Sequence, residues 1–158
     1  MNQLDRYIII GIITYLVLWI GPAIVRKIHK HRVKKKIRGL ANSSEELTPG
    51  EFLIIRKECL EGKEYKRLNQ PGVYVIFNAS KNMFYVGQAK RLLDRLNQHF
   101  TGHGNGDVYA DYKYGDKFTI RTIPLRKSGY RNLNDLERET ILAYNAFSKG
   151  YNKTRGNT

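Results

Sequence analysis

Five side chains in this sequence have the types and the spacing that chemistry at a site needs. Tyr74 and Tyr85 are eleven positions apart, in two runs rich in aromatic and β-branched residues. Arg95 and His99 are four positions apart, so a helix would place them on one face. Glu137 lies in a second helical pattern, on a face that is otherwise apolar. Together these residues offer groups for proton transfer, for binding an anion and for binding a cation.

Two strands and a helix must hold the first four of these residues. GVYVIF at 72–77 and MFYVGQ at 83–88 flank the turn-forming sequence NASKN, which predicts a β-hairpin. The pattern then becomes helical over 89–100, with an apolar stripe made of Leu92, Leu93, Leu96 and Phe100. An adjacent face carries the basic row Arg91, Arg95 and His99, which we expect beside the hairpin.

A third strand and a final helix complete the predicted domain. FTIRTI at 118–123 predicts the strand, and the preceding GHGNGD is expected to form a loop. The last helix should begin with Asn132 or Asn134 as its cap and reach about Phe147, with Gly150 supplying its stop. Three short strands with helices between and around them predict an α+β fold.

Before the hairpin, a polar connector should lead into a short helix. Residues 39–48, GLANSSEELT, have the composition of a solvated linker. Thr48, Pro49 and Glu51 suit the N-cap, first helical residue and capping glutamate of a helix that reaches about Cys59. The predicted units are an anchor with its basic segment at 1–38, a linker with a short helix at 39–69, and a catalytic domain at 70–158.

An uncharged run near the N-terminus predicts a transmembrane helix. The 19 residues at 7–25, YIIIGIITYLVLWIGPAIV, span about 29 Å as a helix, close to one hydrocarbon core. Pro22 is expected to kink or end that helix. A cleaved signal peptide is the alternative, but such peptides carry their positive charge before the apolar run. Here eight of the nine basic residues of 1–38 follow it. That asymmetry places the N-terminus outside and the rest of the chain in the cytoplasm.

The charge of the chain favours polyanionic partners. Its formal net charge of +14 suits nucleic acid or an anionic membrane surface. The basic run at 26–38 suits DNA or anionic lipid, although juxtamembrane topology already explains it. The single cysteine, Cys59, excludes an intramolecular disulfide and a multi-cysteine zinc site.

The ordered set of these residues resembles a known family. Gly72-Val73-Tyr74 and Tyr85-Val86-Gly87 resemble the paired motif that names the GIY-YIG nucleases, with valine in place of each isoleucine. The arginine, histidine, glutamate and asparagine that follow in that family correspond to Arg95, His99, Glu137 and Asn152. LERETILAYNAFSKGYNKTRGN also resembles the family's C-terminal segment, so the resemblance covers about 70–157. It implies a small central antiparallel sheet of about three strands flanked by helices, here preceded by the transmembrane helix.

The resemblance implies phosphodiester hydrolysis with one divalent ion. Such a reaction needs a nucleophilic water, neutralisation of charge in the transition state and stabilisation of the leaving oxygen. Glu137 would bind Mg²⁺ or Mn²⁺. Tyr74 would orient or deprotonate the attacking water, and Arg95 would favour the phenolate or grip the phosphate.

Three further residues receive supporting roles from the resemblance. Tyr85 would hydrogen-bond to Tyr74 or to the phosphate, and His99 would assist proton transfer. Asn152 would bind the active-site network or order the C-terminal segment. His103 is a spare acid–base candidate in a glycine-rich loop, where a simple loop histidine is the alternative.

A second group of residues has the composition of a nucleic-acid surface. Tyrosines alternate there with basic residues that could contact phosphates. The group contains Tyr109, Tyr112, Tyr114 and Tyr130 together with Lys113, Lys117, Arg126 and Arg131. Ordinary tyrosine-rich surface loops explain the same composition.

The sequence therefore predicts a membrane-tethered, metal-dependent endonuclease that acts on nucleic acid, with DNA favoured, at the cytoplasmic face. Many members of the family append a separate DNA-binding domain and this chain offers none, so we expect little sequence specificity. One alternative is a catalytically inactive nucleic-acid-binding module of the same fold at the membrane. A second is a small membrane protein that binds anionic lipid through its basic segment.

Overall fold

The computed structural model describes residues 2–58 and 63–157 and divides into two compact units, Met1–Val33 and Lys34–Thr158. The first helix, α1 (Gln3–Asn42), contains the whole apolar run. Its length and composition are sufficient to cross a membrane, with a mean hydropathy of 2.4 over its most apolar window. Within the run the Thr14 hydroxyl donates to the Ile10 carbonyl at 2.8 Å, so this polar group has an internal partner. The helix continues past Pro22, so the proline does not end it.

The second unit is built around a three-stranded antiparallel sheet, as predicted. Its strands are β1 (Gly72–Asn78), β2 (Met83–Ala89) and β3 (Phe118–Pro124), in the order β2-β1-β3. The helices are α2 (Pro49–Glu58), α3 (Lys63–Leu68), α4 (Leu92–Phe100), α5 (Gly106–Lys113), α6 (Leu125–Ser128), α7 (Leu133–Tyr144) and α8 (Ala146–Lys149). The α+β prediction is confirmed.

One face of the sheet carries the main hydrophobic core. Tyr74 and Ile76 of β1 and Ile120 of β3 pack there against α4 and Phe52 of α2. Because β1 is the central strand, nearly all its side chains are buried, and a tyrosine on it lies deep in the protein. In the register of the hairpin, Tyr74 of β1 pairs with Gly87 of β2.

The prediction of a solvated connector at 39–48 is wrong for two of its residues. Ala41 is fully buried, as is Ile37 just before it. Leu47 pairs with Ile120, donating to its carbonyl at 3.1 Å and accepting from its N–H at 2.7 Å. The outer edge of β3 offers free main-chain groups, and polar composition alone could not reveal that Leu47 satisfies them.

The beginning of α2 follows its sequence signal. The Thr48 hydroxyl accepts from the Glu51 N–H at 3.3 Å, and the Glu51 carboxylate accepts from the Thr48 N–H at 2.8 Å. This reciprocal pair is the predicted capping box. The predicted end at Cys59 lies outside the described residues.

Two helix boundaries differ from the prediction, and one helix was not predicted. Helix α4 begins at Leu92 because β2 continues to Ala89, which pairs with Gly72. Helix α5 lies partly in the predicted loop at 102–107. Asn132 caps α7, but the helix ends at Tyr144. It ends there because the next residue, Asn145, adopts a left-handed conformation with φ of 54°.

Candidate active site

A cleft opens beside β2, between that strand, α4, α7 and the C-terminal segment. Its volume is about 340 Å³, room for several water molecules at ~30 Å³ each. Five of the six residues that the sequence singled out line it, namely Tyr74, Tyr85, Arg95, Glu137 and Asn152. The sixth, His99, does not line the cleft; it is fully buried behind Tyr74.

Tyr74 reaches the floor of the cleft over a glycine on the neighbouring strand. A methyl group added to Gly87 would lie 2.2 Å from the Tyr74 hydroxyl oxygen and 2.5 Å from Cζ. Those distances are far below van der Waals contact, so only a residue without a side chain leaves space for the phenol. The glycine of the second tripeptide thus fixes the position of the tyrosine in the first.

His99 holds the Tyr74 hydroxyl from the protein side. Its Nε2 lies 2.8 Å from the Tyr74 oxygen, and its Nδ1 accepts the Asn105 main-chain N–H at 2.9 Å. Since Nδ1 is an acceptor, a neutral imidazole carries its proton on Nε2 and donates it to Tyr74. Burial, with the positive charge of Arg95, lowers the pKa of His99 to about 4, which keeps the ring neutral near pH 7. In this arrangement His99 is a hydrogen-bond donor rather than a base toward Tyr74.

Burial also determines the protonation of the tyrosine. Tyr74 is 1 % exposed, and burial raises the pKa of its hydroxyl far above the usual range, while Arg95 partly opposes that rise. Burial raises the pKa of Tyr85 as well, again opposed by Arg95. In the free protein both phenols are therefore protonated at neutral pH.

Arg95 supplies the positive charge inside the cleft. It is half-buried on α4, and its Nη1 donates to Gln98 at 2.7 Å. In the part of the chain that the structure describes it forms no ion pair, so it remains available to an anion. The predicted basic row on α4 is divided: Arg91 is exposed and paired with Asp94, whereas His99 is in the core. Only Arg95 of the three faces the cleft.

Glu137 is held on the opposite wall of the cleft by neutral donors. It is 7 % exposed, and Oε1 accepts the Gln88 main-chain N–H at 3.1 Å. Oε2 accepts the Gln88 side-chain amide at 3.0 Å and the Asn157 N–H at 3.3 Å. Gln88 in turn donates to Asn134 at 2.7 Å, which fixes its amide.

These contacts leave Glu137 suited to a hard cation. Oε1 receives one hydrogen bond and keeps a free lone pair, and no ion pair within the described residues neutralises the carboxylate. The same residues contain no group of three or more His, Cys, Asp or Glu side chains placed to hold a metal. A cation here would have one carboxylate and mainly water as ligands, which is the chemistry of Mg²⁺ or Mn²⁺ rather than of zinc.

Asn152 covers the free edge of β2. Its carbonyl oxygen accepts from the Val86 N–H at 2.9 Å, and its amide donates to the Val86 carbonyl at 2.7 Å. The neighbouring Tyr151 N–H donates to the Phe84 carbonyl at 2.9 Å. The side chain thus makes the hydrogen bonds to Val86 that a fourth strand would make, and it holds the C-terminal segment at the cleft.

Helix α5, which the sequence did not predict, connects the two sides of the site. Asn105, its N-cap, binds His99. Asp111 accepts from the Tyr151 hydroxyl at 2.6 Å, and Asp107 pairs with Lys153 at 3.2 Å. One helix therefore positions both the imidazole behind Tyr74 and the segment that carries Asn152.

The other residues noted in the sequence lie elsewhere. His103 is exposed and is not among the residues that line the cleft. Tyr112 is half-buried and packs against the core residues Phe100 and Phe118, at ring distances of 5.0 and 6.3 Å. Tyr130 lies under Lys36, whose ammonium nitrogen is 3.9 Å from the ring centre.

Sequence reasoning missed Gln88 and Asn105. Gln88 directly follows the second tripeptide, and Asn105 precedes the acidic first turn of a helix, which is a cap signal. The first could not be recognised because its partner, Glu137, is 49 positions away. The second was overlooked because the glycines around it suggested only a loop.

One comparison with known proteins found a match. A family model described as the GIY-YIG catalytic domain matches residues 70–152, which is more than half of the chain. The matched range begins just before β1 and includes every one of the six residues discussed. Among curated proteins and among solved structures no match was found.

Proposed function

This chain belongs to the GIY-YIG family, whose domain implies nuclease activity on nucleic acid, and on that premise we propose that it is an endonuclease acting on DNA with one Mg²⁺ or Mn²⁺ ion at Glu137. The observation that carries the proposal is the cleft itself. It gathers a guanidinium with no ion-pair partner among the described residues, a carboxylate whose Oε1 accepts one of their hydrogen bonds, and a positioned phenol around one space. These three groups suit the neutralisation of charge, the binding of a metal and the positioning of a water that phosphodiester hydrolysis needs.

The scissile phosphate binds between Arg95 and Glu137 in this proposal. The guanidinium group of Arg95 donates bidentate hydrogen bonds to two phosphate oxygens and neutralises charge that develops in the transition state. When bound, a divalent ion neutralises the phosphate and stabilises the leaving oxygen. Glu137 would hold that ion, with Gln88 fixing the orientation of the carboxylate.

Tyr74 orients the attacking water. Its oxygen receives the His99 N–H, which leaves one lone pair for a hydrogen bond from water. Because burial keeps the phenol protonated, orientation rather than deprotonation is the role that the geometry favours. Tyr85, which also lines the cleft, supplies a second hydroxyl to the phosphate.

We further propose that the enzyme is held at a membrane by the apolar run of α1, with its catalytic unit on the cytoplasmic side. The length and composition of the helix support the span, and the excess of basic residues after the run supports the orientation.

Plasmid cleavage by the full chain in detergent, with Mg²⁺ or Mn²⁺ present, tests the proposed function. Glu137→Gln keeps the shape of the side chain but removes the charge, and Tyr74→Phe removes only the hydroxyl. We expect each to lower the cleavage rate by at least about 100-fold. Glu45→Gln is the matched control. Glu45 is exposed, and its substitution removes the same charge outside the cleft.

Two results would contradict the proposal. If Glu137→Gln cuts as fast as the control, Glu137 is not the metal ligand. If the wild-type chain binds DNA in a salt-sensitive manner but never cuts it with either metal, the chain is a binding module rather than an enzyme.

A further inference from the structure

A second cluster of positive charge lies outside the catalytic cleft, where the ends of β1 and β3 meet the start of α7. A cavity of about 320 Å³ opens there, lined by Gln70, Pro71, Leu125, Arg126, Gly129, Tyr130 and Arg131. The chain reverses between the two arginines at Gly129, which has φ of 73°. The reversal brings Arg126 and Arg131 to the same cavity although they are five positions apart.

Lys36 adds a third cation to this cluster. Its Nζ lies 3.9 Å from the centre of the Tyr130 ring, and Tyr130 lines the cavity. The aromatic face attracts the ammonium and holds it in place. We call Lys36, Arg126 and Arg131 the basic cluster.

The cations of the basic cluster are not ion-paired in the part of the chain that the structure describes. Both arginines are exposed, and within the described residues none of the three cations forms an ion pair with a carboxylate. Two carboxylates of α7 lie near the cluster: Glu139 accepts the Tyr130 hydroxyl, and Asp135 accepts Arg138 and the Asn132 amide. Two exposed arginines that line the cavity, with Lys36 over the ring of Tyr130, still give an excess of positive charge there, which favours a phosphate group as ligand.

The basic cluster connects to the catalytic cleft through α7. Arg131 precedes the N-cap Asn132, and Glu137 lies four residues beyond Leu133. Four helical residues and two extended ones keep the Cα atoms of Arg131 and Glu137 within about 13 Å of each other. Arg131 is therefore near enough to the cleft for one strand of nucleic acid to contact both.

We propose that the basic cluster binds the backbone of the nucleic-acid substrate a few nucleotides from the scissile phosphate. This proposal rests on the proposed function, since it takes the scissile phosphate to lie at Glu137 and Arg95. The cluster fixes the direction in which the strand leaves the cleft, past Asn134 and over the start of α7. It contacts phosphates rather than bases, so it adds affinity without sequence preference.

The salt dependence of DNA binding tests the proposal. The full chain in neutral detergent is titrated with a fluorescein-labelled 30-base-pair duplex, with Ca²⁺ in place of the catalytic metal, at several salt concentrations. Affinity falls as salt rises, and each lost phosphate contact should reduce the magnitude of the negative slope of log affinity against log salt by about 0.9. We expect the double variant Arg126→Gln/Arg131→Gln to reduce that magnitude by about two and the single variant Lys36→Gln by about one.

Lys127→Gln is the matched control. Lys127 is exposed and lies next to Arg126 in the sequence, but it does not line the cavity. Its substitution removes one positive charge, as each of the other substitutions does. We expect its slope to equal that of the wild type. Plasmid cleavage by each variant at low salt is measured in parallel and should be retained, because the variants leave the catalytic cleft intact.

The outcomes separate this proposal from the proposed function. If the wild type binds and cuts DNA while the double variant and Lys127→Gln have the same slope, the basic cluster is not a DNA site although the enzyme is real. If the wild type neither binds nor cuts DNA, both proposals fail. If short-chain phosphatidylglycerol raises the unfolding temperature of the wild type but not of the double variant, and the DNA slope is unchanged, the cluster binds lipid headgroups and the proposal is overturned.

Discussion

Tyr74 owes its place at the cleft to the residues that surround its hydroxyl group. Gly87 leaves the space into which the phenol extends, and His99 donates to its oxygen from behind. His99 in turn depends on Gly104, since a methyl group there would lie 2.5 Å from its Nδ1. The hydroxyl is therefore positioned by two glycines and an imidazole before any ligand arrives.

Gly87→Ala tests how strictly this position matters. The new methyl group would lie 2.2 Å from the Tyr74 oxygen, so either the phenol or β2 must shift. A displacement of about 1 Å in a reacting group costs about 100-fold in rate, and overpacking of this kind destabilises by about 1–3 kcal/mol. We expect both losses, measured by plasmid cleavage and by thermal unfolding in detergent.

Gly106→Ala is the control for that substitution. Nothing lies within 4 Å of a methyl group added at Gly106, which is helical. Both activity and stability should remain close to those of the wild type. Full activity in Gly87→Ala would show that the hydroxyl of Tyr74 need not occupy the observed position.

At the scale of single residues, the sequence predicted identities better than environments. Tyr74, Tyr85, Arg95, Glu137 and Asn152 were singled out and do line one cleft. The helical spacing of His99 suggested a position beside Arg95, and it could not reveal that this face of α4 turns into the core. Burial depends on what packs opposite, which spacing within one helix does not contain.

Elements with local signals were predictable from the sequence. The hairpin and β3 follow from alternating β-branched and aromatic residues between turn residues, and the starts of α2 and α7 follow from their caps. Two features were not predicted, α5 and the pairing of Leu47 with β3, although Asn105 was a local cap signal for α5. Both depend on distant partners: Asp107 and Asp111 of α5 bind the C-terminal segment, and Leu47 satisfies an exposed strand edge.

The last two turns of α1 belong to the catalytic unit rather than to a linker. Ile37 and Ala41 are both 0 % exposed, and Arg121 of β3 donates to the carbonyls of Ala41 and Ser44. A fragment that begins at residue 39 would therefore lose a buried side chain. This segment lies away from the cleft, so its effect on the enzyme is through stability.

Ile37→Ala in the full chain tests this assignment. Removal of a fully buried isoleucine side chain destabilises by about 2–5 kcal/mol, which should speed hydrogen exchange of the β1 amides when followed by mass spectrometry. Ile54→Ala is the matched control, because Ile54 is 59 % exposed on α2. Equal exchange rates in the two variants would show that the last two turns of α1 are a linker and not part of the catalytic unit.

At the scale of the whole molecule, composition separates two environments. The run at 7–25 is uncharged, whereas the unit Lys34–Thr158 contains the cleft and the basic cluster. A nuclease with its substrate site in that unit can act on DNA only where DNA is present on the same side of the membrane. In the proposed topology charge sets that side, because basic residues close to a span favour the cytoplasm.

Protease protection of a C-terminal epitope tag tests the predicted orientation. In a bacterial host the tag should be cleaved in inverted membrane vesicles and protected in intact spheroplasts, since eight basic residues follow the span and only Arg6 precedes it. Replacing Arg26, Lys27 and Lys30 with glutamate lowers that asymmetry and should expose the tag in a fraction of spheroplasts. The same three substitutions combined with Arg6→Glu restore part of the bias and serve as the control. Cleavage of the wild-type tag in intact spheroplasts would place the catalytic unit outside, and release of the tag from membranes by carbonate would show that the run does not anchor the chain.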